Sequence, residues 1–325
     1  MNEKDIASKL LADNSISSES FNKIESARTS TLFSLSFELR AVLYCGVLLL
    51  SSGLGVLIYK NIDSIGHMAI ILFIAAVSAA CFVYCIRKSL PYSNLKMNSP
   101  GILFDYILLF GCLTFVSFLG YLQYQYSVFG THNDWVPLIS SLLFFAAAYY
   151  FDHLGVLSIA ITTFAAYIGI AITPLGLIKN NDFSRGYSLI YSGIALGFVL
   201  IAVSWALARR NIKKHFTYTY VNFASHMLFV FCLAALFKDG GYIFFVPLFF
   251  ALVATVIWQA FSEKSFYFLL IAILYGYIGL SYLVIKNLIS FSSDGALFTG
   301  LFYFIGSSIG IIYFLIKSSK RIKAA

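Results

Sequence analysis

The chain has 325 residues, of which 60% are hydrophobic and 11% charged, with a mean hydropathy of +0.86 and a net charge of +8. A soluble domain carries about 25% charged residues, so this composition excludes that class and points to a polytopic membrane protein. The positive balance does not indicate nucleic acid, because the basic residues sit beside apolar runs instead of forming one stripe.

In chain order, residues 1–40 are polar and lack the short apolar core of a cleaved signal peptide. Ile6, Leu10 and Leu11, then Ile16, Phe21 and Ile24, mark two short amphipathic helices, with Asn14 and the run Ser15 to Glu19 as turn and cap. Ten apolar runs come next, at 41–59, 69–86, 102–122, 135–151, 154–173, 188–208, 219–237, 242–261, 266–285 and 296–316. Each is close to the ~20 residues a helix needs to cross a bilayer. Helices are expected because backbone polar groups cannot go unpaired in lipid. The chain thus divides into a cytoplasmic amphipathic segment (1–40), a ten-helix transmembrane domain (41–316) and a basic cytoplasmic tail (317–325), with an all-α fold.

Charge sets the expected orientation. On the side of the N-terminus lie Arg28, Arg40, Arg87, Lys88, Lys96, Arg209, Arg210, Lys213, Lys214, Lys264, Lys317, Lys320, Arg321 and Lys323. The other side holds only Lys60, Lys179, Arg185, Lys238 and Lys286, so both termini are expected in the cytoplasm and the chain in the inner membrane. Tyr59, Tyr121, Trp135, Tyr149, Tyr187 and Trp258 stand near span ends, where aromatic belts form. The five cysteines all fall inside spans and read as packing residues.

Two internal echoes suggest repeated helical units. Residues 135–169 match 245–279 at nine positions, among them Val136-Pro137-Leu138 with Val246-Pro247-Leu248 and Tyr167-Ile168-Gly169 with Tyr277-Ile278-Gly279. Residues 43–57 match 108–122 at seven. Spans 4–5 pair with spans 8–9 in the same orientation, a parallel repeat. Pro137 and Pro247 are read as first-turn prolines that start their helices.

The segment Leu10…Ile16-Ser17…Glu19…Ile24, the glycine-containing first span with Ser52-Gly53-Leu54-Gly55, and the turn Asn61-Ile62-Asp63-Ser64-Ile65 go together. Over roughly the first 90 residues this resembles the bacterial predicted-membrane-protein family catalogued as domain of unknown function 2157. In that family the turn reads like Asn-Trp-Asp/Glu-x-Ile-Pro; here Ile62 replaces the tryptophan and Gly66 the proline. The resemblance implies an integral membrane protein with a cytoplasmic N-terminal segment, and it supplies no catalytic residues.

Few residues invite chemistry. His226 lies near the middle of span 7 with Asn222 one turn earlier on the same face, a pair suited to a polar ligand, a proton relay or a bond to a neighbouring helix. Asp105 sits three residues into span 3, within reach of water or of Lys96. Asp152 and His153 fill the tight turn between spans 4 and 5. The outside turns at Asn61 and Asp63 and at Asn133, Asp134 and Trp135 recur at equivalent places in successive hairpins. Gly193–Gly197 and Gly306–Gly310 are spaced for close helix packing.

The sequence carries no nucleotide loop, metal-ligand cluster, nucleophile elbow or paired intramembrane carboxylates. It is therefore read as non-enzymatic, with no metal and no cofactor expected. Its expected partners are the lipid bilayer and a protein at the N-terminal segment; no nucleic acid is expected, and no substrate is named by the residues. The reading is a membrane scaffold, sensor or accessory subunit. The alternative is a small-molecule permease, favoured by Ser51-Ser52-Gly53 and Gly306-Ser307-Ser308, which are composed to unwind and line a path.

Overall fold

A computed structural model describes residues 13, 17, 20–21, 35–60, 66–172, 187–238, 242–290 and 294–324. Among them the chain is all-helical, with no strand. The ten helices are α1 (Leu35–Lys60), α2 (His67–Lys88), α3 (Ile102–Tyr126), α4 (Trp135–Phe151), α5 (Leu154–Ile172), α6 (Tyr187–Arg210), α7 (Phe216–Phe237), α8 (Tyr242–Ser262), α9 (Phe266–Ser290) and α10 (Asp294–Ala324). Each of the ten expected apolar runs is a helix. Eight are long and apolar enough to cross a membrane, and α1 (over Ala41–Leu57) and α4 supply shorter apolar segments. The chain is a polytopic helical membrane protein.

Two compact units divide at Gly66 and His67. In the first, α1 runs unbroken through Ser51, Ser52 and Gly53, and the two hydroxyls bond back to Leu48 O (2.9 Å) and Leu49 O (3.1 Å). A serine that satisfies itself on the preceding turn leaves the helix intact. The expected cap before it is partly visible. Ser17 Oγ accepts from Ser20 N–H at 3.2 Å, and Phe21 N–H donates to Ser17 O at 2.9 Å, the pattern of an N-cap.

In the second unit, helices adjacent in sequence pack as neighbours from α2 to α10. Lipid is as apolar as leucine, so close contact and hydrogen bonds, more than water exclusion, must hold such helices together. One core joins Cys85, Leu108, Cys112, Phe144, Leu157, Leu200 and Phe216, from α2 to α7. A second joins α6, α7, α8 and α9 around Phe229, Cys232, Leu236 and Phe249. The hub is α7, which packs on α5, α6, α8 and α9.

Gly193 and Gly197 let α6 approach α7 as their spacing predicts. A Cβ on Gly193 would fall 2.2 Å from the Phe231 ring, and one on Gly197 2.7 Å from Leu228. Gly306 and Gly310 have the same spacing, yet a Cβ on either meets nothing within 4 Å among the described residues. The unwinding considered at Gly306-Ser307-Ser308 is also absent. The helix is continuous, and Ser307 Oγ bonds Tyr277 OH on α9 at 3.1 Å. The proline reading needs one correction. Pro137 does stand in the first turn of α4, but α8 begins at Tyr242, which leaves Pro247 inside the helix. Neighbouring helices and local adjustment of the backbone let membrane helices carry such prolines.

Candidate functional site

The ionisable candidates inside the second unit fall in two clusters. The first is the end of the bundle where α2, α4 and α6 finish and α3, α5 and α7 begin. Asp152 caps α4 in the left-handed conformation (φ 58°), which a short polar residue adopts more readily than a bulky one. The Asp152 and His153 N–H groups both reach back to Ala148 O, turning the chain at once into α5. The α6–α7 turn likewise places Asn211 and Lys213 at positive φ.

These two turns bring together groups 61 or more residues apart. Asp152 Oδ1 accepts from His215 Nε2 at 2.6 Å and lies 3.3 Å from Lys213 Nζ. Asp152 Oδ2 accepts from Met97 N–H at 2.5 Å, and Lys213 N–H donates to Asn94 O at 2.8 Å, so the segment between α2 and α3 is tied in as well. The Asp152 side chain is 2% exposed and that of Lys213 0%. Lys213, counted by charge as a surface residue that sets orientation, is in fact a buried cation. Its ammonium faces Asp152 and the Tyr92 ring (5.3 Å), and none of its N–H groups finds an acceptor in hydrogen-bond geometry among the described residues.

Beside this pair, Asp105 Oδ1 accepts from Ser99 Oγ at 2.5 Å and stands 3.7 Å from His153 Nε2. Its partners are Ser99 and His153, not the Lys96 suggested by proximity in sequence. His153 Nδ1 accepts from Val156 N–H at 3.1 Å, so the neutral ring carries its proton on Nε2, toward Asp105. Burial holds the His153 pKa below its ordinary 6.5, although Asp105 and Asp152 pull the other way. Because the folded ring binds its proton less readily than the unfolded one, this group costs stability as the pH falls from about 6.5 toward its lowered value. The thermal midpoint in detergent should fall on acidification through that window, and less steeply in His153→Asn. Parallel pH curves for the two proteins would show that His153 does not contribute.

The second place is the middle of α7. His226 Nε2 and Nδ1 each lie 3.0 Å from a tyrosine hydroxyl on α9, those of Tyr267 and Tyr275. Tyr267 OH donates to Asn222 Oδ1 at 2.8 Å. Donor balance then fixes the protons. Tyr267 spends its only hydrogen on Asn222, so it accepts from His226 Nε2–H, and Nδ1 accepts from Tyr275 O–H. A neutral imidazole in one tautomer satisfies all three bonds. The structure therefore joins His226 and Asn222, but through Tyr267 and not directly. Both tyrosines escaped notice in the sequence. Their signal was the spacing of eight, which puts them on one face of α9 two turns apart.

The remaining candidates are in turns. Asn133 Oδ1 accepts from Gln123 Nε2 at 3.0 Å, and that amide also bonds Gly130 O (2.8 Å) and, through Oε1, Phe129 N–H (2.8 Å). Asp134 lies 3.8 Å from His132 Nδ1, and Trp135 stacks on Phe129 at 6.3 Å between centroids. Gln123, 6% exposed, is thus the organiser of the α3–α4 turn. Asn61 and Asp63 lie outside the described residues.

No curated protein and no solved structure matches the chain. Residues 8–157 match the model of a family described as predicted membrane protein (DUF2157), which bears out the resemblance read from the first 90 residues and carries it through α4 and the Asp152-His153 turn.

Proposed function

We propose that this chain is a non-enzymatic component of the bacterial inner membrane, a scaffold, sensor or accessory subunit, crossing ten times with both termini in the cytoplasm. The observation that carries the reading is how the two polar clusters are used. At His226 both ring nitrogens, both tyrosine hydroxyls and the asparagine oxygen are engaged with one another. At Asp152 the carboxylate is met by a lysine, a histidine and a backbone amide from two other turns. A catalytic group or a transport site keeps a valence for its substrate, whereas the His226 set and the Asp152 carboxylate spend theirs on linking helices. The N-terminal segment is the surface proposed for a protein partner, and the basic span ends support the cytoplasmic placement of the termini.

The test is a double substitution, His226→Leu with Asn222→Ala, read in proteoliposomes for leakage or flux of small solutes and in detergent for thermal stability. The proposal expects lower stability and no change in any flux. Flux present in the parent and lost in a fully folded variant would favour a permease instead.

A further inference from the structure

A groove of about 380 Å³ opens between α6, α7 and α8, within the size range of small-molecule sites. Its lining changes character along its length. Toward the basic end of the bundle stand Ser204, Thr217 and Gln259; deeper along the helices stand Ile201, Leu228 and Leu252. From Thr217 to Leu228 the groove runs along α7 for about 17 Å at 1.5 Å per residue, close to one leaflet of a hydrocarbon core about 30 Å thick.

Two further observations point to an occupant. Thr217 Oγ1 is buried and has no hydrogen-bond partner among the described residues, although a buried hydroxyl normally finds one. Trp205, which lines the groove and is 57% exposed, carries the Arg209 guanidinium over its ring at 3.7 Å, with Arg210 next in the same last turn of α6. Glu263, just past the end of α8, is already bonded by Gln259 Nε2 at 2.7 Å. An unpartnered hydroxyl and an arginine at the mouth, with an apolar trough one leaflet long behind them, match one kind of molecule.

We propose that this groove is a binding site for an anionic phospholipid of the leaflet on the basic side. The phosphate sits against Arg209, the glycerol region against Thr217, and one acyl chain lies along Ile201, Leu228 and Leu252. Arg209 supplies the preference for charge, and the trough supplies the fit. The reading of the two clusters as helix ties does not enter this assignment, so either can fail alone.

The experiment uses the full chain with Trp135→Phe and Trp258→Phe, leaving Trp205 as the only tryptophan. It is reconstituted in phosphatidylcholine vesicles that contain a small fraction of brominated phosphatidylglycerol or, in parallel, brominated phosphatidylcholine. Brominated phosphatidylglycerol should quench Trp205 as if enriched about fivefold, the effect of one basic residue at a membrane surface. Arg209→Gln should remove the preference and Arg209→Lys should keep it. Thr255→Phe, an exposed position on the groove wall, should block the trough and also remove the preference while the protein still elutes as a folded particle. Equal quenching by the two lipids would overturn the proposal. So would a preference that survives Thr255→Phe, since that would be surface charge acting without a groove.

Discussion

Replacing Asp152 by asparagine should lower the free energy of unfolding by about 3–5 kcal/mol, the cost of leaving a buried charge without its partner. The size comes from the geometry. Lys213 is fully enclosed, its nearest anion is Asp152 at 3.3 Å, and none of its ammonium N–H groups has an acceptor in hydrogen-bond geometry among the described residues. An exposed ion pair would be worth only about 0–1 kcal/mol, so the measurement separates the two cases clearly. Removing both charges, Asp152→Asn with Lys213→Met, should recover much of the loss, because the desolvation cost of the cation disappears with it. Denaturant titration in detergent micelles reads both results. A single substitution that costs no more than an exposed pair would mean that the lysine reaches water.

The second large effect concerns the contact of α6 with α7. An alanine in place of an exposed helical glycine stabilises by about 0.5–1 kcal/mol. At Gly193 the sign should reverse, because the new Cβ would lie 2.2–2.5 Å from three atoms of the Phe231 ring, including Cγ at its base. The ring cannot swing clear at its root, so the helices must separate, and overpacking of this kind costs about 1–3 kcal/mol. Gly193→Ala should therefore lower the thermal midpoint, and Phe231→Ala added to it should relieve the clash. A stabilised Gly193→Ala protein would show that the two helices do not meet at this point. The same substitution at Gly306, where a Cβ meets nothing within 4 Å, should be neutral or mildly stabilising.

Those two glycine motifs show what was legible in the sequence. Both have small residues four apart in an apolar run, and only in one do the glycines face a neighbouring helix among the described residues. Periodicity and length located all ten helices because each apolar run is long and its ends are charged or polar. The position of Pro247 was misjudged by analogy with Pro137. The equivalent helix starts earlier, since Tyr242, Ile243 and Phe244 extend the apolar run of α8 toward its N-terminus. The clusters were only half visible. His226 and Asn222 stand out as polar residues in a span, whereas Tyr267 and Tyr275 are two among 22 tyrosines. Asp152 looked like a turn residue and Lys213 like a topological charge. Their pairing depends on two turns, 61 residues apart, meeting over the same end of the bundle, and local pattern cannot supply that.

The claim that the intramembrane polar groups tie helices together is tested most directly by a double-mutant cycle between α7 and α9. His226→Leu, Tyr275→Phe and the double variant are unfolded in the same detergent, and the coupling energy is taken from the three differences. Coupling of about 0.6 kcal/mol, the usual worth of a hydrogen bond between membrane helices, is the predicted result, with each single variant less stable than the parent. A His226→Leu protein more stable than the parent, with no coupling to Tyr275, would contradict it and mark the histidine as a residue held for a ligand.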